Sequence, residues 1–241
     1  MIQLIKPNWS APVNIRAFST TRVGGVSKAP FDSLNLGLHV GDDEVSVMKN
    51  RQRLQKLTAH RPVQWLNQIH SNKVVEYSGA DQLVEADAIV TSKSSATCAV
   101  MTADCLPVLM TNSSGNWVAA AHAGWRGLAD GVLVNTVSSY DRPEPLMAWI
   151  GPSISQKCFE VGSEVREAFL EVDASNQTYF VQNYRGRWQA DLAGLAKKQL
   201  ETLGVAVYLS QLCTFSNDHQ FYSYRRDGQT GRMASMIWIS E

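Results

Sequence analysis

Three short apolar runs constrain this chain most. Residues 98–102, 106–111 and 117–121 follow one another with little between them. Ala103-Asp104-Cys105 separates the first two, and the polar turn Asn112-Ser113-Ser114-Gly115-Asn116 separates the second and third. Runs this short, bounded by turn residues, read as buried strands rather than helices. The third run delivers His122 into Ala123-Gly124-Trp125-Arg126-Gly127. Cys105 and His122 therefore sit at strand ends, where a rigid scaffold can present reactive side chains. A thiol and an imidazole placed this way suit either a metal site or a nucleophile–base pair.

The flanking sequence supplies further elements. Apolar runs at residues 13–18, 63–69, 146–150, 205–209 and 233–239 predict strands. Helical periodicity spans residues 44–58, 128–140, 161–172 and 192–203, the first capped by Asp42 or Asp43 and the last ended by Gly204. Asp227-Gly228 between strand-like runs predicts a hairpin. No repeat, low-complexity segment or convincing linker interrupts the 241 residues, a length that fits one large domain or two small ones.

Composition excludes several classes. Lys plus Arg equals Asp plus Glu at 22 each, so no broad basic surface for nucleic acid is expected. No run reaches the roughly 18 apolar residues of a membrane helix, and the first residues lack a secretory signal pattern. Four cysteines without a CxxC pair fit free thiols in a reducing, cytoplasmic compartment. Cys98, inside an apolar run, reads as a small buried hydrophobe.

Several polar residues stand out as candidates. His70 ends an apolar run, as Cys105 and His122 do. Arg22 lies in Thr20-Thr21-Arg22-Val23-Gly24-Gly25-Val26-Ser27, a tight loop whose glycines permit close backbone approach. Asn35 and His39 are polar residues among leucines, and Asn35 is either a local backbone clamp or a site residue. Arg126 stands where a helix is expected to open, which favours an anion nearby. Arg225, Arg226 and Arg232 crowd one stretch of an otherwise neutral chain and are solvated charges or an anion site. His70, Cys105 and His122, separated by 35 and 17 positions, could hold zinc from separate strands but not as a small zinc finger.

The motifs appear in a telling order. They are the Arg22 loop, Ser33-Leu34-Asn35-Leu36-Gly37, Gln68-Ile69-His70, Thr102-Ala103-Asp104-Cys105-Leu106-Pro107 and His122-Ala123-Gly124-Trp125-Arg126-Gly127. Gly151-Pro152-Ser153-Ile154, Cys158-Phe159-Glu160-Val161-Gly162 and Ser223-Tyr224-Arg225-Arg226-Asp227 follow. From about residue 9 to 239 the chain closely resembles the YfiH-like family, also called the laccase-domain or multicopper polyphenol oxidoreductase family.

The resemblance implies a fold and an activity. The fold is α/β (α+β), a single-domain layered sandwich of mixed β-sheets flanked by helices over residues 1–241, distantly similar to deamidating toxins with a Cys–His pair. The metal ligands are His70, Cys105 and His122. The activity is zinc-dependent purine nucleoside chemistry: phosphorolysis of adenosine, inosine and methylthioadenosine, and deamination of adenosine. Cys105, His122, Arg22 and Asn35 form the expected catalytic set. Phosphorolysis also needs an anion site, for which Arg22, Arg126 and Arg225 are the candidates by charge and loop position. The expected partners are small molecules, a purine nucleoside and phosphate, with neither nucleic acid nor membrane.

Residue chemistry weighs the alternatives. One thiolate and two imidazoles suit zinc, and copper can replace it in the same ligands. Five histidines are few for a multinuclear copper cluster, which counts against a laccase-like polyphenol oxidase. A Cys105–His122 amide hydrolase that edits peptidoglycan precursors and a non-catalytic metal-binding module remain as further readings.

Overall fold

The computed structural model describes residues 1–79 and 83–240. Its centre is two mixed β-sheets laid face to face. The five-stranded sheet runs Leu4–Ile5, Ile15–Thr20, Met233–Ile239, Thr97–Thr102, Val63–Gln64. The six-stranded sheet runs Ala206–Leu209, Leu146–Ile150, Leu106–Asn112, Val118–Ala123, Ala88–Thr91, Val74–Glu76. Only the last strand pair of the first sheet and both edge pairs of the second are parallel.

Alternation along the strands builds the layers, because successive side chains leave a strand on opposite faces. Cys98, Val100, Leu109, Val118, Ala120, Trp149 and Ile237 fill the space between the sheets. Leu106, Val108, Met110, Ala119, Ala121 and Ala123 face away, onto the helices Val132–Ser138, Ser163–Val172 and Leu192–Thr202. Ala99, Met101, Ala234 and Met236 face the other way and pack with Leu54 of the helix Glu44–Gln55. Every residue of the strands Thr97–Thr102, Leu106–Asn112 and Val118–Ala123 is buried, which explains runs that are apolar on both faces. Cys98 is fully buried, and burial pushes its thiol up, far from ionisation at neutral pH.

The helix Glu44–Gln55 also fixes loops. Its buried Asn50 accepts a hydrogen bond from the Val26 N–H and donates to Ser27 and to the carbonyls of Ser33 and Asn35. Arg51 donates to the Leu36 carbonyl at 2.9 Å and stacks 4.2 Å over Trp65.

Four expectations are corrected. The 63–69 run is split between two sheets, as Val63–Gln64 and Leu66–Asn67, the latter paired with Val84–Glu85. The 128–140 helix is two, Trp125–Ala129 and Val132–Ser138, broken at Gly131 with φ of 88°. The first helix ends sooner, and Lys56–Thr58 continues as a 3₁₀ turn. No hairpin forms at Asp227-Gly228. Ser223 accepts from the Arg226 N–H and caps the short helix Tyr224–Asp227, so the segment coils before the strand begins. Among the described residues, no helix is long and apolar enough to cross a membrane.

Candidate metal centre and its cavity

The two sheets meet at a seam. The strand Thr97–Thr102 belongs to one and Leu106–Asn112 to the other, so Cys105 stands at the crossing. His122 lies near the end of the adjacent strand, and alternation with Val118 and Ala120 turns it toward the space between the sheets. His70 arrives from the loop after Leu66–Asn67. The ligand atoms of His70, Cys105 and His122 all lie within 4.8 Å of one another, with Cys105 Sγ 3.9 Å from His70 Nε2. Among the described residues this is the one such group.

Asp87 organises the cluster, and sequence reading did not single it out. Its fully buried carboxylate takes the His122 Nδ1–H at 2.8 Å, which leaves His122 Nε2 for a ligand. The same carboxylate accepts the backbone N–H groups of His70 and Ser71, at 3.1 and 2.6 Å, and the Ser71 hydroxyl at 2.7 Å. His70 sits at a positive φ of 60°, rare outside glycine, and these bonds hold it there. The signal in sequence was faint: one acid directly before an apolar run.

Electrostatics favour a thiolate. Burial opposes ionisation of Cys105, but His122 and His70 outweigh it and bring the thiol down to about 6. Burial likewise opposes charge on His122, yet Cys105 and Asp87 raise it to about 9. Burial pushes the Asp87 carboxyl up, while His122 and Ser71 overcome this and hold it at about 2. A thiolate and two imidazoles, one braced by a carboxylate, are the donor set of a metal site. Asp87 bonded to His122, with Cys105 Sγ within 4.8 Å of that imidazole, also has the composition of a nucleophile relay.

Small residues make this approach possible. A Cβ on Gly124 would stand 2.6 Å from His70 Cδ2 and 3.2 Å from Cys105 Sγ. One on Gly127 would stand 2.6 Å from the Ser71 carbonyl oxygen. The glycines of the 122–127 motif thus admit the His70 loop. We predict that Gly124→Ala turns the His70 ring and weakens metal binding by roughly 10–100-fold, the scale seen when ligand orientation is disturbed. A competition titration with a chromophoric chelator measures it, and the fold should persist by circular dichroism.

Cys105 leads directly into a second clamp. Asp104 is buried at a positive φ of 99°. Its carboxylate accepts from Thr214 Oγ1 at 2.6 Å, Ser223 Oγ at 3.0 Å and the Arg225 N–H at 2.7 Å. The strained residue before the thiol is therefore tied to the 214–225 segment, which such strain requires.

The cluster opens into a cavity of about 430 Å³, whose other walls include His39, Gln68, Met101, Tyr224 and Arg232. Gln68 braces the wall by pairing with both backbone groups of Met101, at 2.8 and 2.7 Å. Burial, then Arg232 and Arg51, hold His39 down toward its neutral form.

Other expected site residues lie elsewhere. Asn35 is fully buried and acts as a clamp: its side chain bonds the Gly37 N–H and carbonyl, Asp42 and the Arg232 N–H. Arg22 lines a separate crevice with Asp32, Asp218 and His219. Its guanidinium donates to the Asp32 and Asp218 carbonyls at 2.9 and 3.0 Å and lies over the Tyr222 ring. Arg126 stacks on Trp125 at 4.2 Å. Arg225 donates to the Glu160 carbonyl at 2.6 Å, over the Phe159 ring. None of the three arginines lines the cavity. Charge and loop position identified them, but neither reports where a side chain points. Arg22→Ala is accordingly predicted to lower stability by about 1–2 kcal/mol through its lost carbonyl bonds. Thermal unfolding reads that loss, and the KM for phosphate should not move.

Comparison with known proteins agrees with this architecture. The family model described as multi-copper polyphenol oxidoreductase laccase matches residues 16–240. A Haemophilus influenzae relative named purine nucleoside phosphorylase is 48% identical over 243 residues, covering 99% of this chain and 100% of that protein. A Pseudomonas aeruginosa relative of the same name is 49% identical over 240 residues, covering 98% of each. A Neisseria meningitidis crystal structure superposes with a TM-score of 0.95 at 46% identity, covering 99% of each chain. The YlmD structure from Geobacillus stearothermophilus superposes at 0.89 with 30% identity, over 99% of this chain and 96% of that one. With matches of this extent in sequence and fold, the chain belongs to the YfiH-like, multi-copper polyphenol oxidoreductase laccase family.

Proposed function

We propose that this protein is a zinc-dependent purine nucleoside phosphorylase that also deaminates adenosine. The observation that carries the reading is the thiolate–imidazole cluster at the floor of a nucleoside-sized cavity. The names of the full-length relatives support it. Adenosine, inosine and methylthioadenosine are the proposed nucleosides. In phosphorolysis a phosphate oxygen bonds to C1′ of the sugar and the C1′–N9 bond breaks. The electron pair leaves with the purine, which takes up the proton carried by the hydrogen phosphate.

His70, Cys105 and His122 would hold the zinc, and Asp87 would orient His122 through Nδ1. When bound, zinc supplies a Lewis acid beside the substrate. The donor set also accepts a single copper. Laccase chemistry is disfavoured, since the described residues bring together one three-ligand group and not a histidine-rich cluster.

A second reading has its own observation. The Asp87–His122 pair with Cys105 close by fits a cysteine amide hydrolase, for instance one that edits a cell-wall precursor. One preparation decides between them, with metal content measured alongside turnover. Stoichiometric zinc, ribose 1-phosphate from inosine plus phosphate, and inosine from adenosine without phosphate are expected. Fully metallated protein that leaves all three nucleosides intact and cleaves an aminoacyl precursor would replace this reading with the hydrolase.

A further inference from the structure

A cavity that holds phosphate as a positioned nucleophile calls for a cationic side chain to grip its oxygens, and Arg22, Arg126 and Arg225 face other partners. Among the described residues that line it, Arg232 is the one arginine or lysine, and none of them carries a carboxylate. Its position is built with care. The Arg232 N–H donates to Asn35 Oδ1 at 2.9 Å, and the Leu36 N–H donates to the Arg232 carbonyl at 3.2 Å. The side-chain stem lies against Gly37, where a Cβ would come within 2.9 Å of Cγ. Nη1 donates to the carbonyls of Thr230 and Gly231, both at 3.0 Å. The guanidinium is thus pinned at one corner, and its Nε and Nη2 groups have no hydrogen-bond partner among the described residues. That Nε–Nη2 edge is the fork that grips two oxygens of a tetrahedral oxyanion.

We propose that Arg232 holds the phosphate co-substrate, binding two phosphate oxygens through Nε and Nη2 in the cavity shared with His70, Cys105 and His122. The inference rests on the phosphorylase reading and adds to it the residue that brings the nucleophile. It also explains Asn35 and Gly37, which place the arginine and do not touch substrate. Inorganic phosphate and the 5′-phosphate of a nucleotide share this chemistry. Inorganic phosphate is the favoured occupant, because phosphorolysis consumes it.

The test uses zinc-loaded wild type, R232K and R232Q, with phosphate and inosine varied separately. Calorimetric titration with inorganic phosphate accompanies it, and zinc content and Tm serve as controls. R232Q is expected to raise the KM for phosphate by on the order of 30-fold, from loss of charge-assisted bonds, and the KM for inosine by less than threefold. Phosphate affinity should fall in parallel. R232K keeps the charge but not the fork, so it should recover only part of the loss. Should R232Q fail to fold, R232K must still raise the phosphate KM several-fold. An unchanged phosphate KM and affinity would overturn the assignment. So would equal rises for both substrates, or an effect confined to competition by adenosine 5′-monophosphate. A wild type that binds phosphate through Arg232 yet cleaves no nucleoside would instead sustain the anion site and remove the phosphorylase reading.

Discussion

Cys105→Ser and His70→Ala, made separately, are expected to lose metal and activity together. Serine keeps its proton where Cys105 ionises, so the hydroxyl is a poor replacement for the thiolate. His70→Ala removes a second donor from the group of three. Each variant should fall to background zinc, with kcat/KM down by roughly 10²–10³-fold or more, the cost of deleting an electrostatic stabiliser. Folding should survive, because the core between and outside the sheets does not pass through the metal ligands. The pair of variants separates two chemistries. A nucleophile served by His122 has no need of His70, and its loss of the sulfur leaves metal content unaffected. Elemental analysis beside a nucleoside assay reads both. An inactive Cys105→Ser protein that retains stoichiometric zinc would defeat the ligand assignment.

Asp87→Asn should be nearly as damaging, although Asp87 does not itself line the cavity. The carboxylate serves His122 and the N–H groups of His70 and Ser71 at once. An amide turns one acceptor oxygen into a donor facing donors, and it removes the negative charge that steadies His122. Breaking a buried charge pair of this kind costs about 3 kcal/mol or more. Zinc affinity should drop by roughly 10–100-fold as ligand orientation relaxes. Thermal unfolding and metal competition measure the two effects. A lowered Tm with intact zinc affinity would assign Asp87 to the loop alone.

Much of this was legible in residues, for identifiable reasons. The strands Leu146–Ile150 and Met233–Ile239 fell where expected, because fully buried strands have sharp apolar limits. Cys105, His122 and His70 were visible as polar residues at the ends of apolar runs, and the motif order joined them into one set. Asp87 was hidden because its partner His122 is 35 residues away. The 63–69 run misled because periodicity does not say to which sheet a residue belongs. Arg232 lay in a crowd of arginines, and only the Asn35–Gly37 loop, nearly two hundred residues earlier, marks it out.

The placement of Met233–Ile239 bears on how the protein is made. This strand lies between Ile15–Thr20 and Thr97–Thr102, with Ser19 and Ser235, 216 residues apart, sharing a hydroxyl hydrogen bond. Pairings so distant in sequence close late, whereas Leu106–Asn112 and Val118–Ala123 can zip as a local hairpin. On the ribosome, His70, Cys105 and His122 therefore emerge long before the strand that completes the five-stranded sheet. The Arg232 wall comes with that strand. On the proposed reading, a nascent chain can bring the three ligands together while the cavity still lacks one side, so capture of an ion and competence for chemistry would be separate events in the life of the molecule.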